Sequence, residues 1–290
     1  MLTFTTTKRL RVVLIIIVVG CFLSATLRAQ TRYEGIPYIK NYTRQDYNSS
    51  PFNWGIVQDA RGLIYVANNY LLLEFDGNTW RAIVLPNRTV VRSLAVDPKG
   101  VVFVGGQADF GFLKPDGKGE MIFESLKNKI PKEHQSFADV WKICVTDLGV
   151  AFCTTAGIYY LQNNDIKFYK LDDSSLTSFF YISQRLFVCV ARKGIYELKN
   201  HELVLIPESS NVSSYFVTGM LPGPENKILM VTQQHGIFAY DGYSNFERWA
   251  TLPPEFLKGN KVSCAASVAK GYALGSSHNG LLIINKEGEP

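Results

Sequence analysis

The sequence predicts an all-β fold, and three observations carry that reading. Short apolar runs recur along the chain without a sustained helical period or helix caps. Turn residues, chiefly Gly, Asp and Asn, punctuate the runs, and 15 Tyr and 18 Phe favour half-buried strands. The whole pattern then repeats, with units starting near Trp54, Val91, Trp141, Ser178, Tyr215 and Val262, a spacing of about 37–50 residues. That period is the length of a propeller blade. A lone four-stranded sheet cannot bury both of its faces, and radial stacking of several sheets does. The expected fold is therefore a β-propeller of four-stranded blades, six of them recognisable and the last incomplete.

The N-terminus is a targeting segment. Lys8, Arg9 and Arg11 precede a nearly unbroken apolar run over 12–23, short against the roughly 20 residues that span a bilayer. Ser24 to Gln30 supplies small and polar residues for cleavage after Ala29 or Gln30. Residues 1–30 thus read as a signal peptide, or as a signal anchor if retained, and the protein as exported and periplasmic. Val18-Val19-Gly20-Cys21 has the form of a lipobox, so a lipoprotein through Cys21 is an alternative, against which Phe22 and Leu23 prolong the apolar run. Without the four basic residues of this segment (Lys8, Arg9, Arg11 and Arg28), 26 of 30 remain against 25 acidic ones, a net charge of about +1. No basic stripe is left to bind nucleic acid.

Residues 31–52 form an N-terminal extension, in which 36–47 reads as a spare strand able to close the ring. The blades follow at about 53–88, 90–126, 139–171, 176–207, 213–252 and 261–290. In blade one the strands, A to D from the centre outward, fall at 53–59, 63–67, 71–75 and around Trp80. Asp-Gly stands at three C–D turns (Asp76-Gly77, Asp116-Gly117 and Asp241-Gly242), which predicts type I′ hairpins. Residues 285–290 read as the C–D turn of blade six, so its outer strand is missing and the chain is expected to be a fragment of a longer protein.

In blade one Asn53-Trp54, Gln58-Asp59-Ala60-Arg61-Gly62-Leu63-Ile64-Tyr65-Val66-Ala67-Asn68 and Leu71-Leu72-Leu73-Glu74-Phe75-Asp76-Gly77-Asn78-Thr79-Trp80 resemble the two-component regulator propeller family. So do Gly105-Gly106-Gln107-Ala108-Asp109-Phe110-Gly111 in blade two and Asp139-Val140-Trp141 in blade three. Where that family opens strand C with Gly-Leu, this chain has Tyr70-Leu71 in blade one and Gly-Ile in blades three to five. The resemblance covers most of 33–284. It implies the ligand-binding sensor part of a periplasmic two-propeller input, followed by a triple-tyrosine immunoglobulin-like domain, a transmembrane helix and a kinase or DNA-binding output. It also implies a homodimeric parent, touching the membrane only through a signal anchor or that later helix. No kinase, receiver or helix-turn-helix sequence is present in the 290 residues.

In such a fold the B–C loops and the starts of strand A gather on one face, around the central channel. The loops offer Asn68 and Asn69, Gln107 and Asp109, Thr155, Arg192, Gln234 and His235, and His278 and Asn279; strand A adds Trp54, Arg92 and Trp141. Hydrogen-bonding groups beside aromatic platforms suit a small molecule or an oligosaccharide, whose hydroxyls need polar partners and whose ring faces stack on Trp. The bland alternative is that loops are polar anyway and that both Trp pack blades. His235 and His278 occupy equivalent loops, but two histidines without a carboxylate cluster are a weak metal signal.

No catalytic residue and no cofactor is expected. Asp59, Asp97 and Asp147 stand at A–B turns, where a carboxylate caps backbone N–H groups. No G-x-S-x-G, phosphate-cradling loop or HExxH occurs. Cys144, Cys153, Cys189 and Cys264 lack metal-ligand spacing and read as small hydrophobes on strands, although Cys144 and Cys153 could face each other across a hairpin. Three functions remain open: a sensor input module, an exported lyase or hydrolase acting on polysaccharide, and a protein-interaction scaffold.

Overall fold

The structure is a computed structural model, and it describes residues 39–171 and 177–290. The signal segment, Cys21 of the lipobox alternative and positions 36–38 of the spare strand lie outside the described residues. Twenty-three strands form five four-stranded sheets and one three-stranded sheet among the described residues, each antiparallel and in sequence order. Blade one holds β1 (Asn53–Gln58), β2 (Ile64–Asn68), β3 (Leu72–Phe75) and β4 (Trp80–Ile83). Blade two holds β5 (Val91–Val96), β6 (Val102–Gly106), β7 (Phe110–Pro115) and β8 (Met121–Ser125). Blade three holds β9 (Val140–Val145), β10 (Val150–Thr154), β11 (Gly157–Gln162) and β12 (Asp165–Lys170). Blade four holds β13 (Thr177–Ile182), β14 (Arg185–Val190), β15 (Gly194–Lys199) and β16 (Glu202–Leu205). Blade five holds β17 (Val217–Pro222), β18 (Ile228–Thr232), β19 (Ile237–Tyr240) and β20 (Phe246–Ala250). Blade six holds β21 (Val262–Val268), β22 (Gly271–Ser276) and β23 (Leu281–Asn285).

Five buried apolar clusters lie between the six blades, one at each junction. Tyr65 and Leu72 meet Val91 and Val104 between blades one and two. Phe103 and Phe110 meet Phe152 and Tyr159 between two and three. Ala151 and Ile158 meet Leu186 and Val188 next, then Phe187 and Ile195 meet Met230 and Tyr240. Val231 and Ile237 meet Tyr272 and Leu274 last. Each large side chain so buried contributes about 1.5–3 kcal/mol, which is why stacking, and not any single sheet, holds the fold.

Polar ties cross the same junctions. The Ser93 hydroxyl donates to the Val140 carbonyl at 2.7 Å, and the Ser178 hydroxyl to that of Val217 at 2.9 Å. Arg81 pairs with Glu74 and donates to the Met121 carbonyl. Arg185 pairs with Glu197 and reaches the Gly242 carbonyl.

The turns differ from expectation in an instructive way. Asp59 and Asp97 do cap their turns: Asp59 Oδ1 accepts from the N–H groups of Arg61 and Leu63, and Asp97 Oδ1 from those of Lys99 and Val101. At the third A–B turn Thr146, not Asp147, plays that part, its hydroxyl accepting from the N–H groups of Leu148 and Gly149. None of the three Asp-Gly turns is type I′. That turn needs two consecutive residues of positive φ, and only Gly77, Gly119 and Gly242 have it there. The carboxylate is the reason, since it caps the following N–H groups and opens a longer loop. Two-residue loops with consecutive positive φ occur instead at Asn163-Asn164, Ser183-Gln184 and Asn200-His201.

Asp76 makes one of these caps measurable. The N–H groups of Thr79 and then Asn78, with the Thr79 hydroxyl, hold its carboxyl down from 3.8 to about 2. A folded pKa below the unfolded one gives stability that is present above pH 3.8 and lost as pH falls through about 2. A carboxyl NMR titration of the folded protein should place the Asp76 midpoint near the lower value.

The expected ring-closing strand is absent from the described part of the extension. Asp46 accepts from the Thr43 backbone N–H, a capping box that starts a helical turn at Arg44–Tyr47. Tyr42 and Tyr47 then pack on Trp80, and Tyr42 on Phe75, against the outward face of blade one. Ile56 on that face and Leu281 and Ile283 on blade six remain exposed.

Close strand pairing leaves no room at Gly111. A Cβ there would stand 1.9 Å from the Glu124 carbonyl oxygen of the neighbouring strand. Gly111→Ala is expected to destabilise by about 1–3 kcal/mol, the usual cost of forcing an atom into a filled site, read as a lower denaturation midpoint.

Candidate functional site

The site begins with an irregularity of strand A. In five blades the register slips by one residue near its start: between Asn53 and Gly55, Val91 and Ser93, opposite Cys153 and Thr154, between Val217 and Gly219, and between Val262 and Cys264. The residues left out of the ladder are Trp54, Arg92, Trp141, Thr218 and Ser263. A bulge of this kind re-aims its extra side chain, and bulges concentrate beside functional sites. Blade four keeps its register, with Thr177 opposite Val190 and Ser178 opposite Cys189.

The first three bulge residues meet. The Arg92 guanidinium lies 4.2 Å from the Trp54 ring centroid and 5.0 Å from that of Trp141. The two indoles, 6.2 Å apart, stand edge to face. Such cation–π contacts contribute about 0.5–2 kcal/mol each, more as water is excluded. Arg92 Nε also donates to Asp139 Oδ1 at 3.1 Å, both side chains being mostly buried. The Trp54 indole N–H donates to Asn69 Oδ1 at 2.6 Å. Yet Trp54 and Trp141 remain 47% and 43% exposed.

Beside Trp141 opens a cavity of about 350 Å³, lined among others by Lys142, Ser178, Phe216, Thr218, Gln233 and Ser263. A second, of about 490 Å³, shares Lys142, Phe179, Phe180 and Thr218 with it and runs on along the A strands to Cys144 and Cys264. Together they run along the A strands of blades three to six, with Trp141 at one end of the first; Trp54 lines a separate cavity of about 420 Å³ with Tyr42, Tyr47 and Trp80. Pockets for small ligands span about 300–1,000 Å³, and both cavities fall in that range.

The residues picked from sequence divide into three groups. Trp54, Asn69, Arg92 and Trp141 come together as described. Gln107, Arg192, Gln234, His235, His278 and Asn279 lie exposed on the B–C loops, and Thr155 is half-buried on its own loop. Several are anchored: the Gln234 amide reaches the Asn260 carbonyl, His235 stacks on Tyr215 at 4.2 Å, and Asn279 donates to the Phe256 carbonyl. The side chain of the buried Asn260 accepts from the Ser277 hydroxyl and the His278 N–H, fixing that loop. The main-chain bridge of Gln107 to Asp139 sets the carboxylate that faces Arg92.

Asn68 and Asp109 form the third group and are corrections. Asn68 is fully buried, donating to the Ser50 carbonyl and to Asn53 Oδ1 and accepting from the Ser49 hydroxyl. Asp109 is buried, accepts from the Ser125 hydroxyl and the Phe110 N–H, and has its pKa raised by burial. Both are buried and brace their own loops. Sequence reasoning missed Asp139, Phe216, Thr218, Gln233 and Ser263. Asp139 carried a signal as the residue before Val140-Trp141, and Gln233 as the loop neighbour of Gln234. No group of three or more His, Cys, Asp or Glu able to hold a metal occurs among the described residues, His235 and His278 included.

No protein-family model matches the chain, and no curated protein matches it. Solved structures do. One is the extracellular domain of a B. thetaiotaomicron protein described as a hybrid two-component system, BT4673: 16% identity, TM-score 0.57, covering 82% of this chain and 32% of that one. Another is virginiamycin B lyase from Staphylococcus aureus: 12% identity, TM-score 0.58, covering 80% of this chain and 84% of that one. A third is the computationally designed Ika8 protein, at 10% identity and TM-score 0.57. The chain thus spans about a third of the length of the two-component structure. An extracellular domain of a two-component system, a lyase and a designed protein share this architecture, and at such identities the likeness speaks for fold alone: the chain is a β-propeller, similar in fold to that two-component extracellular domain.

Proposed function

We propose that this protein is an exported ligand-binding input module of a two-component signalling protein, and that its ligand is a carbohydrate held at the Trp54–Arg92–Trp141 stack. The carrying observation is the set of bulged A strands, which turn Trp54, Arg92 and Trp141 out of their ladders into one half-exposed stack. The indole edges and faces offer apolar platforms for sugar rings. Asn69, Asp139, Gln233 and Ser263 offer partners for hydroxyls, as the exposed loop residues do further out. Export rests on the signal segment and on likeness to an extracellular domain.

Ligand acts by binding one arrangement of the propeller more tightly than another, and that difference in free energy is what a downstream element reads. The test is calorimetric titration of the purified chain with a panel of oligosaccharides, each mixture afterwards analysed for cleaved sugar. Saturable binding without turnover supports the module. Turnover of any glycan replaces it with the enzyme reading, which the lyase likeness leaves open.

A further inference from the structure

Lys142 stands where the cavities of about 350 and 490 Å³ overlap, one residue after Trp141 on β9. Its pairing with Cys153 puts it on the face of blade three that turns toward blade four. The side chain is exposed, and its ammonium makes no ion pair or hydrogen bond among the described residues. No other basic side chain and no carboxylate lines either cavity among the described residues. Arg92, which lies over Trp141, is already neutralised by Asp139. The two cavities therefore hold one uncompensated positive charge.

That charge discriminates between ligands. Concave walls of low polarity focus the field of a charge into the space they enclose. A neutral ligand filling that space would strip water from the ammonium without replacing its hydrogen bonds, which is unfavourable. A carboxylate or sulfate would replace them with charge-assisted bonds, roughly twice as strong as neutral ones. The Gln233 amide and the Ser263 hydroxyl line the first cavity as well, and neither side chain has a hydrogen bond among the described residues. They remain open to sugar hydroxyls, and the Trp141 indole supplies the apolar wall beside them.

We propose, building on the carbohydrate reading of this site, that the ligand is an acidic oligosaccharide: one sugar ring lies against Trp141, and its carboxylate or sulfate sits on the Lys142 ammonium. Lys142 is then a specificity residue. It takes no part in the contacts that hold Trp54, Arg92 and Trp141 together, so changing it leaves the stack in place.

The experiment is calorimetric titration of the full chain with two matched pairs of probes, added to the neutral oligosaccharide panel. Oligogalacturonate is compared with its methyl ester, and a sulfated galactan oligosaccharide with its desulfated form. The first pair tests a carboxylate and the second a sulfate. Each titration is repeated with Lys142→Met and Lys142→Gln, whose fold is checked by circular dichroism. One acidic probe is expected to bind about tenfold or more tighter than its neutral counterpart, tenfold being 1.4 kcal/mol. That advantage should vanish in both variants and shrink as salt is raised. Equal affinity for an acidic probe and its neutral counterpart overturns the proposal. So does an acidic probe whose affinity is unchanged by Lys142→Met, or binding of neutral sugars only. Each of those results leaves the carbohydrate reading standing, whereas binding of no sugar at all removes both.

Discussion

Phe152→Ala is expected to be the most damaging single truncation in this chain, at about 3–5 kcal/mol, the usual cost of removing a buried Phe and leaving its cavity. Phe152 is fully buried in the central strand of blade three. Its ring stacks on Phe110 at a centroid distance of 4.3 Å and meets Phe103 edge-on at 6.0 Å. Phe110 in turn contacts Phe137 and Tyr159. The two neighbouring rings, with Phe110 itself held by Phe137 and Tyr159, cannot collapse into the space. A loss of this size is a large share of the 5–15 kcal/mol by which domains are stable. Urea unfolding should show a strongly lowered midpoint for Phe152→Ala and a smaller loss for Phe152→Leu, which keeps much of the volume. Equal losses would mean that shape and stacking, not volume, dominate the junction.

Arg92→Ala is expected to act on stability and on binding together. The Asp139 carboxylate would remain mostly buried without its guanidinium, which costs about 1–3 kcal/mol. Both indoles would lose the cation that lies over them. With the stack loosened, affinity for the ligand should fall by about tenfold or more, tenfold being 1.4 kcal/mol. Arg92→Lys should rescue charge but not the planar face-on contact. Adding Asp139→Asn to Arg92→Ala should recover part of the stability and none of the affinity, because the neutral amide relieves the buried charge without rebuilding the platform. A double-mutant cycle on unfolding and binding separates the two effects.

Much of this architecture was open to reading from sequence. A strand's alternation is local, and each unit supplied it independently, so the strands of blades one to six fall where the apolar runs and turn residues place them. Trp54, Arg92 and Trp141 were accessible for the same reason, as equivalent strand A positions of a repeat, and Asn69 as a B–C loop residue. Burial at the loops was not. Asn68 and Asp109 look like ligand-facing polar residues, but each satisfies backbone groups of its own loop, a role set by three-dimensional neighbours such as Ser50 and Ser125. The bulges were equally hidden. A one-residue slip leaves the alternation ambiguous for a single position, and only the pairing with strand B reveals it. Asp139 was visible but unassigned, because its partner Arg92 is 47 residues away. The Asp-Gly hairpins misled because dipeptide preference ignores the competing carboxylate cap.

The chain has 4 Trp; Trp54 and Trp141 form the proposed site with Arg92, while Trp80 lies against Tyr42 and Tyr47 and Trp249 against Tyr272. Hydroxyl-radical footprinting, with and without a saturating oligosaccharide from the titration panel, compares all four in one sample. Protection of Trp54 and Trp141 with unchanged oxidation of Trp80 and Trp249 is the predicted result. Saturation with no protection at Trp54 and Trp141 would contradict it and move the recognition site off the Trp54–Arg92–Trp141 stack.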